Sequence, residues 1–353
     1  MDLTVVGNPA NRRVRLFADA VQAAGWPAPT EIAWRDVLRG ATPPGPGTVV
    51  RIDSAGEDDE VDTLLRGADR PVRHGELTAL AATHQGLLRG VAAVASRGAT
   101  LLTSPADIEV MGDKRRCHAV LDAAGVPVPA ALPGVTSYAT LRSAMAAAGW
   151  SRVFVKPAHG SSAAGVVALA VNGTRVVATT PVELSGDALF NSLRVRRYQR
   201  EDDVAAIVDR LPGPLHVERW YPKASLAGRT VDLRVVVIAG RATHAVVRAA
   251  RGTLTNLHLG NARGDLGAAR AAAGPASWAA AMRTCERVAA LFPRTLQVGI
   301  DLMFRLGWRQ HAVAEVNAFG DLLPGVLHAG RDTYAEQVHA LATGRWKAPA
   351  CVP

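Results

Sequence analysis

Short apolar runs bounded by glycine, proline or charged residues recur along the chain. They predict strands over 3–6, 49–53, 153–157, 166–170, 175–179, 216–220, 233–238, 242–248, 297–304 and 311–316. Between them, apolar residues at helical spacing predict helices over 13–24, 113–124, 141–148, 202–211, 278–291 and 334–342. Breakers fall where helices must stop: Gly125-Val126-Pro127-Val128-Pro129 ends one, and Pro212-Gly213-Pro214 ends another. A strand, the Gly7-Asn8-Pro9 turn and a helix, in that order, predict a small parallel α/β domain over 1–103, closed by Thr103-Ser104-Pro105. The turn lacks the GxGxxG spacing, so it gives little support to dinucleotide binding.

Composition narrows the class. The chain has 353 residues, 48% of them hydrophobic, enough for packed cores in two or three subdomains and too much for intrinsic disorder. The apolar run over 235–239 is strand-sized, far below the roughly 18 residues of a membrane span. The first residues enter a strand without a basic leader, so the expected location is the cytoplasm. Cys117, Cys285 and Cys351 are too few and too scattered for a disulfide framework or a zinc pattern. The net charge of +9 comes almost wholly from arginines interspersed with acids, and aromatics make up only 5%. That balance argues against nucleic acid as the principal ligand and for small anions.

Candidate chemistry starts from lysine. The chain has only four, Lys114, Lys156, Lys223 and Lys347, where arginine is otherwise the habit. A retained lysine suits a site that needs a compact point charge. Lys156 ends a strand and precedes a loop of small residues containing Gly160, Ser161 and Ser162, the composition that lets backbone N–H groups approach phosphates. Lys114 opens a helix, a second natural phosphate position. The alternative is two surface lysines and an ordinary hairpin turn. Near the C-terminus, Glu315 and Asn317 are two apart, so on a strand they share a face. If that strand pairs with the one carrying Asp301, three oxygen ligands converge in a set that suits Mg²⁺; otherwise they decorate a solvated face. Arg234 and Arg248, in apolar strands, suit anion clamps, although Arg234 could instead be a partner of Asp232.

The order of these motifs resembles the ATP-grasp superfamily. The resemblance runs over about 104–339. It rests on Asp113-Lys114, Val155-Lys156-Pro157, Gly160-Ser161-Ser162, His216-Val217-Glu218-Arg219-Trp220, Asp232-Leu233-Arg234, Arg248, Asn256, Gly299-Ile300-Asp301 and Glu315-Val316-Asn317. The Asp-Leu-Arg and Thr-Asn-Leu-His segments look closest to the branch of ribosomal-protein glutamate ligases. Arg51-Ile52-Asp53-Ser54 and the stretch 255–261 resemble a group of bacterial ATP-grasp proteins of uncharacterised function. The implied fold is α/β (α+β grasp): a small N-terminal α/β domain at 1–103, a first lobe at 104–214 and a second lobe with a metal site at 215–345.

The same resemblance implies roles. Lys114 and Lys156 would hold ATP phosphates, with Gly160, Ser161 and Ser162 closing over them. Glu218 and the backbone through Trp220 would grip adenine. Asp301, Glu315 and Asn317 would carry two Mg²⁺ ions, or Mn²⁺ in their place. Arg248, Arg234 and Asn256 would form the catalytic group, with Arg248 steadying the transferring phosphoryl group. Ala163-Ala164 stands where many members have another glycine, Asn261 replaces a glycine, and 181–200 has no clear counterpart. The implied activity is an ATP-dependent carboxylate–amine ligase forming a C–N bond through an acyl phosphate. Its substrates would be ATP, a small carboxylate and an amine such as an amino acid or peptide, with no nucleic-acid or membrane partner and a homodimer allowed. The rival readings are a small-molecule kinase on the same fold and a nucleotide-binding module without turnover.

Overall fold

The computed structural model describes residues 1–348. The N-terminal unit contains β1 (Asp2–Gly7), α1 (Arg12–Ala23), β2 (Thr30–Ala33), α2 (Trp34–Leu38), β3 (Thr48–Ile52), α3 (Asp59–Arg66), α4 (Leu80–Ala95) and β4 (Thr100–Leu101). Its four strands pair in the order β2-β1-β3-β4, all parallel. Helix α1 forms because Val14, Phe17 and Val21 line one face and the Asn11 side chain caps the first turn.

The next stretch holds α5 (Pro105–Gly112), α6 (Lys114–Ala123), β5 (Ala131–Leu132), α7 (Tyr138–Ala147), β6 (Arg152–Pro157), β7 (Val167–Asn172), β8 (Arg175–Ser185), β9 (Ala188–Tyr198), α8 (Glu201–Arg210) and β10 (Leu215–Arg219). Its sheet has the order β5-β10-β6-β7-β8-β9. The stretch 181–200, without a counterpart in the sequence reading, is most of the long β8–β9 hairpin at the edge of this sheet. Strand β10 pairs with β5 and β6, so the expected lobe boundary at 214/215 does not coincide with the sheets, which change over after 219.

The last stretch holds β11 (Ser225–Leu226), β12 (Arg229–Ile238), β13 (Arg241–Ala250), β14 (Ala262–Gly264), α9 (Leu266–Ala290), β15 (Gln297–Phe304), β16 (His311–Asn317) and α10 (Thr333–Ala342). The sheet order is β14-β13-β12-β15-β16, with β11 added on β12. Every residue of β15 is buried, as a central strand covered on both faces requires. Helix α9 begins well before the predicted 278 and breaks at Gly274, ahead of Pro275. Among the described residues no helix is long and apolar enough to cross a membrane.

Two of the three sheets share their cores. The N-terminal sheet and the last sheet pack into common apolar clusters, one of which joins Phe17, Val236, Ile238 and Tyr334. The middle sheet has a core of its own with α7 and α8. A cleft therefore separates the middle sheet from the rest, bridged by a small cluster of Phe154, Ala168 and Leu254.

One buried ionic group fastens the N-terminal unit to the last sheet. Arg51 on β3 lies between the rings of Phe17 and Tyr334, 4.8 and 5.3 Å from their centroids. Its guanidinium donates to Asp321 at 2.7 Å and to the Gln337 side chain. Arg13 reaches the other Asp321 oxygen at 3.3 Å. Asp321 is fully buried, just beyond the end of β16. Removing one member of such a group leaves a charge stranded in the interior. Arg51→Met is therefore expected to lower stability by about 3–5 kcal/mol in urea denaturation. A loss below about 1 kcal/mol would show that Arg51 is not the group that compensates Asp321, leaving Arg13 and Gln337 to do so.

Candidate functional site

Strand register assembles the site. Asp232 on β12 lies opposite Arg248 on β13, and Arg234 opposite Asp301 on β15. Asp301 lies opposite Glu315 on β16, and Gly299 opposite Asn317. The two-residue period puts Asp232 with Arg234, and Glu315 with Asn317, on common faces. The expected pairing of the Asp301 strand with the Glu315 strand is present.

Asp301 sits at the centre. Arg234 Nε lies 2.7 Å from its Oδ1, and Arg248 Nη1 donates to its Oδ2 at 3.1 Å. Arg248 Nε also donates to Asp232 Oδ1 at 2.7 Å. Lys223 Nζ donates to the other Asp232 oxygen at 2.8 Å and to Thr255 Oγ1 at 2.7 Å, and the Thr255 hydroxyl donates to Asp232 as well. Burial alone would raise the pKa of Asp232, but Arg248 and Lys223 outweigh it and hold the carboxyl well below the usual carboxylate range. Arg234 fits only because its neighbours lack side chains. A Cβ on Gly320 would lie 2.3 Å from Arg234 Nη1, and one on Gly299 would lie 2.9 Å from the same atom.

The middle sheet supplies the facing cation. Lys156 on β6 donates to Glu218 on β10 at 2.5 Å, and His216 Nε2 lies 3.4 Å from the second Glu218 oxygen. Burial opposes the lysine charge, yet Glu218, Glu315 and Asp301 together raise its pKa above the ordinary value. Glu218 responds in the opposite sense: burial raises it, Lys156 and His216 overcome that, and its pKa is pulled down to about 2. Lys114 joins the two sides. Its Nζ donates to Gly160 O at 2.7 Å and lies 3.4 Å from Glu315. Asp113 caps the helix that Lys114 opens, accepting from the backbone of Arg115 and Arg116. Against its burial, Lys114, Lys156 and Arg234 hold the Glu315 carboxyl below its ordinary value.

The structure thus gathers Lys114, Lys156, Gly160, Glu218, Arg234, Arg248, Asp301, Glu315 and Asn317 around one cleft. Ser161 and Ser162 stand exposed on the loop after Gly160. Ala163, where a glycine is common in the resembling proteins, has a left-handed φ of 61°, and Ser162 has 56°. Those are conformations a glycine would take without the cost a side chain adds. Three expectations are modified. Arg234 pairs with Asp301, not Asp232. Asn256, half-buried next to Thr255, turns its side-chain oxygen back onto the His258 N–H, capping a short 3-10 turn at Leu257–Leu259. Glu218 is the counterion of Lys156, and the Arg219 and Trp220 amides already donate to Ala130 and Arg152, so those donors are committed to the sheet. The Trp220 ring packs on Phe154, 5.0 Å between centroids. Sequence reasoning missed Lys223, Asp232 and Thr255 as one buried group; the scarcity of lysine was the signal that pointed to Lys223.

Two cysteines, Cys117 and Cys285, are buried with their thiols pushed up to about 12 by burial, which makes them poor nucleophiles. Cys351 lies outside the described residues. Among the described residues no cluster of three or more His, Cys, Asp or Glu side chains is arranged for a metal. The set here is two carboxylates and an amide. Asn317 commits its amide nitrogen to Gly299 O at 3.3 Å, which leaves its oxygen as the atom that could hold a metal. Asp301 Oδ1 is buried and accepts no aligned hydrogen bond. Hard oxygen donors, one of them held by an ion pair to Arg234 rather than by an aligned hydrogen bond, beside lysines that suit phosphates, fit Mg²⁺ bound together with a polyphosphate. A narrow cavity opens here, lined by Lys114, His118, His216 and Glu315 among others. A wider, shallower depression between α9 and the start of β16 carries Arg283, Arg287 and His311 but none of these groups.

No family model matches the chain, and no curated protein matches it. Solved structures do. The D-cycloserine synthetase DcsG superposes with a TM-score of 0.60 at 17% identity, covering 98% of this chain and 100% of that one. The ATP-grasp ligase PsnB, complexed with a phosphomimetic variant of its minimal precursor, Mg and ADP, gives 0.55 at 18% identity, covering 97% of each chain. The chain has the ATP-grasp fold. The D-alanine–D-alanine ligase from Bacillus anthracis complexed with ATP gives 0.52 at 13% identity, covering 98% and 97%. At these identities the likeness establishes the ATP-grasp architecture, with the α/β unit ahead of the grasp as expected, and leaves chemistry to the residues.

The Glu218 shift carries a pH signature. A carboxyl that ionises at about 2 when folded and near the ordinary value of 4.5 when unfolded stabilises the fold above about pH 4.5. That contribution is lost as pH falls from about 4.5 to 2. Urea denaturation of wild type and Glu218→Gln across this range should show the wild type losing its advantage with acid. A constant difference between the two would remove the Lys156–Glu218 pair from the account.

Proposed function

We propose that the chain is an ATP-dependent ligase joining a carboxylate to an amine through an acyl phosphate. The observation that carries this reading is Asp301, held by Arg234 and Arg248, beside Glu315 and Asn317 and across a cleft from Lys156. The proteins with a similar architecture support it, since those named above include ligases complexed with ATP or with Mg and ADP.

A carboxylate resists attack by an amine because its oxygen leaves poorly. In the proposed reaction a carboxylate oxygen attacks the γ-phosphorus of ATP and ADP departs. The amine then attacks the acyl carbon, the C–O bond to phosphate breaks, and the proton from nitrogen passes to solvent or a nearby base. One amide, one ADP and one phosphate result. Lys114 and Lys156, which are paired with Glu315 and Glu218, would exchange part of those contacts for phosphate oxygens. Arg234 is the more accessible arginine, its side chain 20% exposed against 7% for Arg248, and would face the transferring group. Arg248, clamped by Asp232 and Asp301, would hold Asp301 in place. Asp301, Glu315 and Asn317 would hold Mg²⁺, which supplies neutralisation of the phosphate charge when bound. The protein's share is positioning and electrostatics in a preorganised cleft.

Incubation with ATP, Mg²⁺ and pooled amino acids and short peptides is expected to release ADP and phosphate together with a condensed product by mass spectrometry. A phosphorylated product without free phosphate would make the protein a kinase. Mg-ATP at about 100 times its Kd should add about 2.7 kcal/mol, seen as a melting shift of several degrees that EDTA reverses. An unmoved melting curve at saturating Mg-ATP would contradict nucleotide binding altogether.

A further inference from the structure

The loop that carries Gly160, Ser161 and Ser162 is fixed at one end by two histidines that the proposed chemistry does not use. His159 precedes Gly160, and its ring stacks on His84 of α4 with centroids 4.4 Å apart and planes 19° apart. Both side chains are buried. His159 Nδ1 lies 3.0 Å from Gly112 O, a hydrogen bond that requires the proton on Nδ1. Gly112 closes the interlock. A Cβ there would fall 2.2 Å from His84 Cε1, so the stack needs this position empty. Leu80, one helical turn before His84, presses on the other side of the same joint: a Cβ on Gly160 would lie 3.3 Å from its Cδ1.

The residues around His159 hold Lys114. The Lys114 backbone N–H donates to Ala158 O at 2.9 Å, and its ammonium donates to Gly160 O at 2.7 Å. Gly112 lies two residues before Lys114 in the chain. The stack therefore links α4, the α5–α6 junction and the start of the loop into one joint. Beyond it the loop is thinly held. Gly160, Ser162, Ala163 and Gly165 all have positive φ, and the loop's own bonds are Ala164 N to Ser161 O, Val166 N to Ala163 O and Gly165 N to the Asn191 side chain. A segment with left-handed, exposed residues and few bonds opens easily unless an end is clamped.

We propose that His84 and His159 are positioning residues for the phosphate-covering loop. Their stack, contributed in part by the N-terminal unit, fixes Lys114 and Gly160 in register so that the loop meets the nucleotide already ordered. The proposal rests on the reading of this loop as the cover of ATP phosphates. Its structural part is independent of that reading.

Amide hydrogen exchange and ATP affinity, measured on wild type, His84→Ala, His84→Phe and His159→Phe, test it. In the nucleotide-free protein, His84→Ala is expected to speed exchange at the bonded loop amides of Ala164, Gly165 and Val166 by about tenfold while β12 and β15 keep their protection. His84→Phe, which restores a ring for stacking, should return to within about twofold of wild type. His159→Phe keeps a ring on His84 but loses the donor to Gly112, and should speed the same amides. ATP dissociation constants should rise about tenfold in His84→Ala and recover in His84→Phe. Unchanged exchange at Ala164, Gly165 and Val166 in folded His84→Ala or in His159→Phe would overturn the proposal, as would acceleration spread evenly over the whole chain. If wild type fails to bind ATP while the exchange pattern holds, the joint stands and the nucleotide reading falls.

Discussion

The site depends on one shared charge. Asp301 on β15, an interior strand of the last sheet, is contacted by two arginines, one from the adjacent β12 and one from β13 beyond it, and the latter is held by a second carboxylate, Asp232, with its own lysine. A lone carboxylate in an all-buried strand would have to be protonated or expelled. Two guanidinium groups pair with it and fix it, and the strand register carries that order to Glu315 and Asn317 next door. The two glycines that admit Arg234 belong to the same arrangement, as does the fully packed β15 beneath it.

The cleft is a place where opposite charges wait in pairs. Lys156 with Glu218 and Lys114 with Glu315 are paired in the protein alone. On the proposed reading, an incoming polyphosphate would compete with carboxylates rather than with water. Such exchange would keep the cations in position before the nucleotide arrives, the preorganisation that electrostatic catalysis requires. The segregation of cores supports it: the middle sheet has its own interior, while the other two sheets share theirs and are locked together by Arg51 and Asp321.

The local and periodic parts of this design were readable in the sequence. Glu315 and Asn317 share a face because strands have a period of two, and Lys156 stands out because the chain so seldom uses lysine. What stayed hidden arises from long-range contact. Arg51 meets Asp321 across 270 residues, and Lys223 finds Asp232 and Thr255 only once two strands and a loop have come together. The same holds for Glu218, whose counterion role needs β10 to sit beside β6. Short strands such as β2 and the separate helix α5 escaped because a few residues carry too little periodicity, and the part of α9 ahead of the Gly274 break lies before the helix predicted over 278–291.

On the proposed reading, Asp301, Glu315 and Asn317 hold a divalent cation together with the nucleotide phosphates. Calorimetric titration of ADP with and without Mg²⁺, on wild type and Glu315→Gln, tests it without any knowledge of the acid or amine. In wild type, Mg²⁺ should tighten ADP binding by about tenfold or more, about 1.4 kcal/mol. In Glu315→Gln, which keeps the size but removes the charge, that gain should shrink below about twofold while metal-free ADP binding persists. A variant retaining the full Mg²⁺ gain would contradict the account, because the cation would then be held elsewhere.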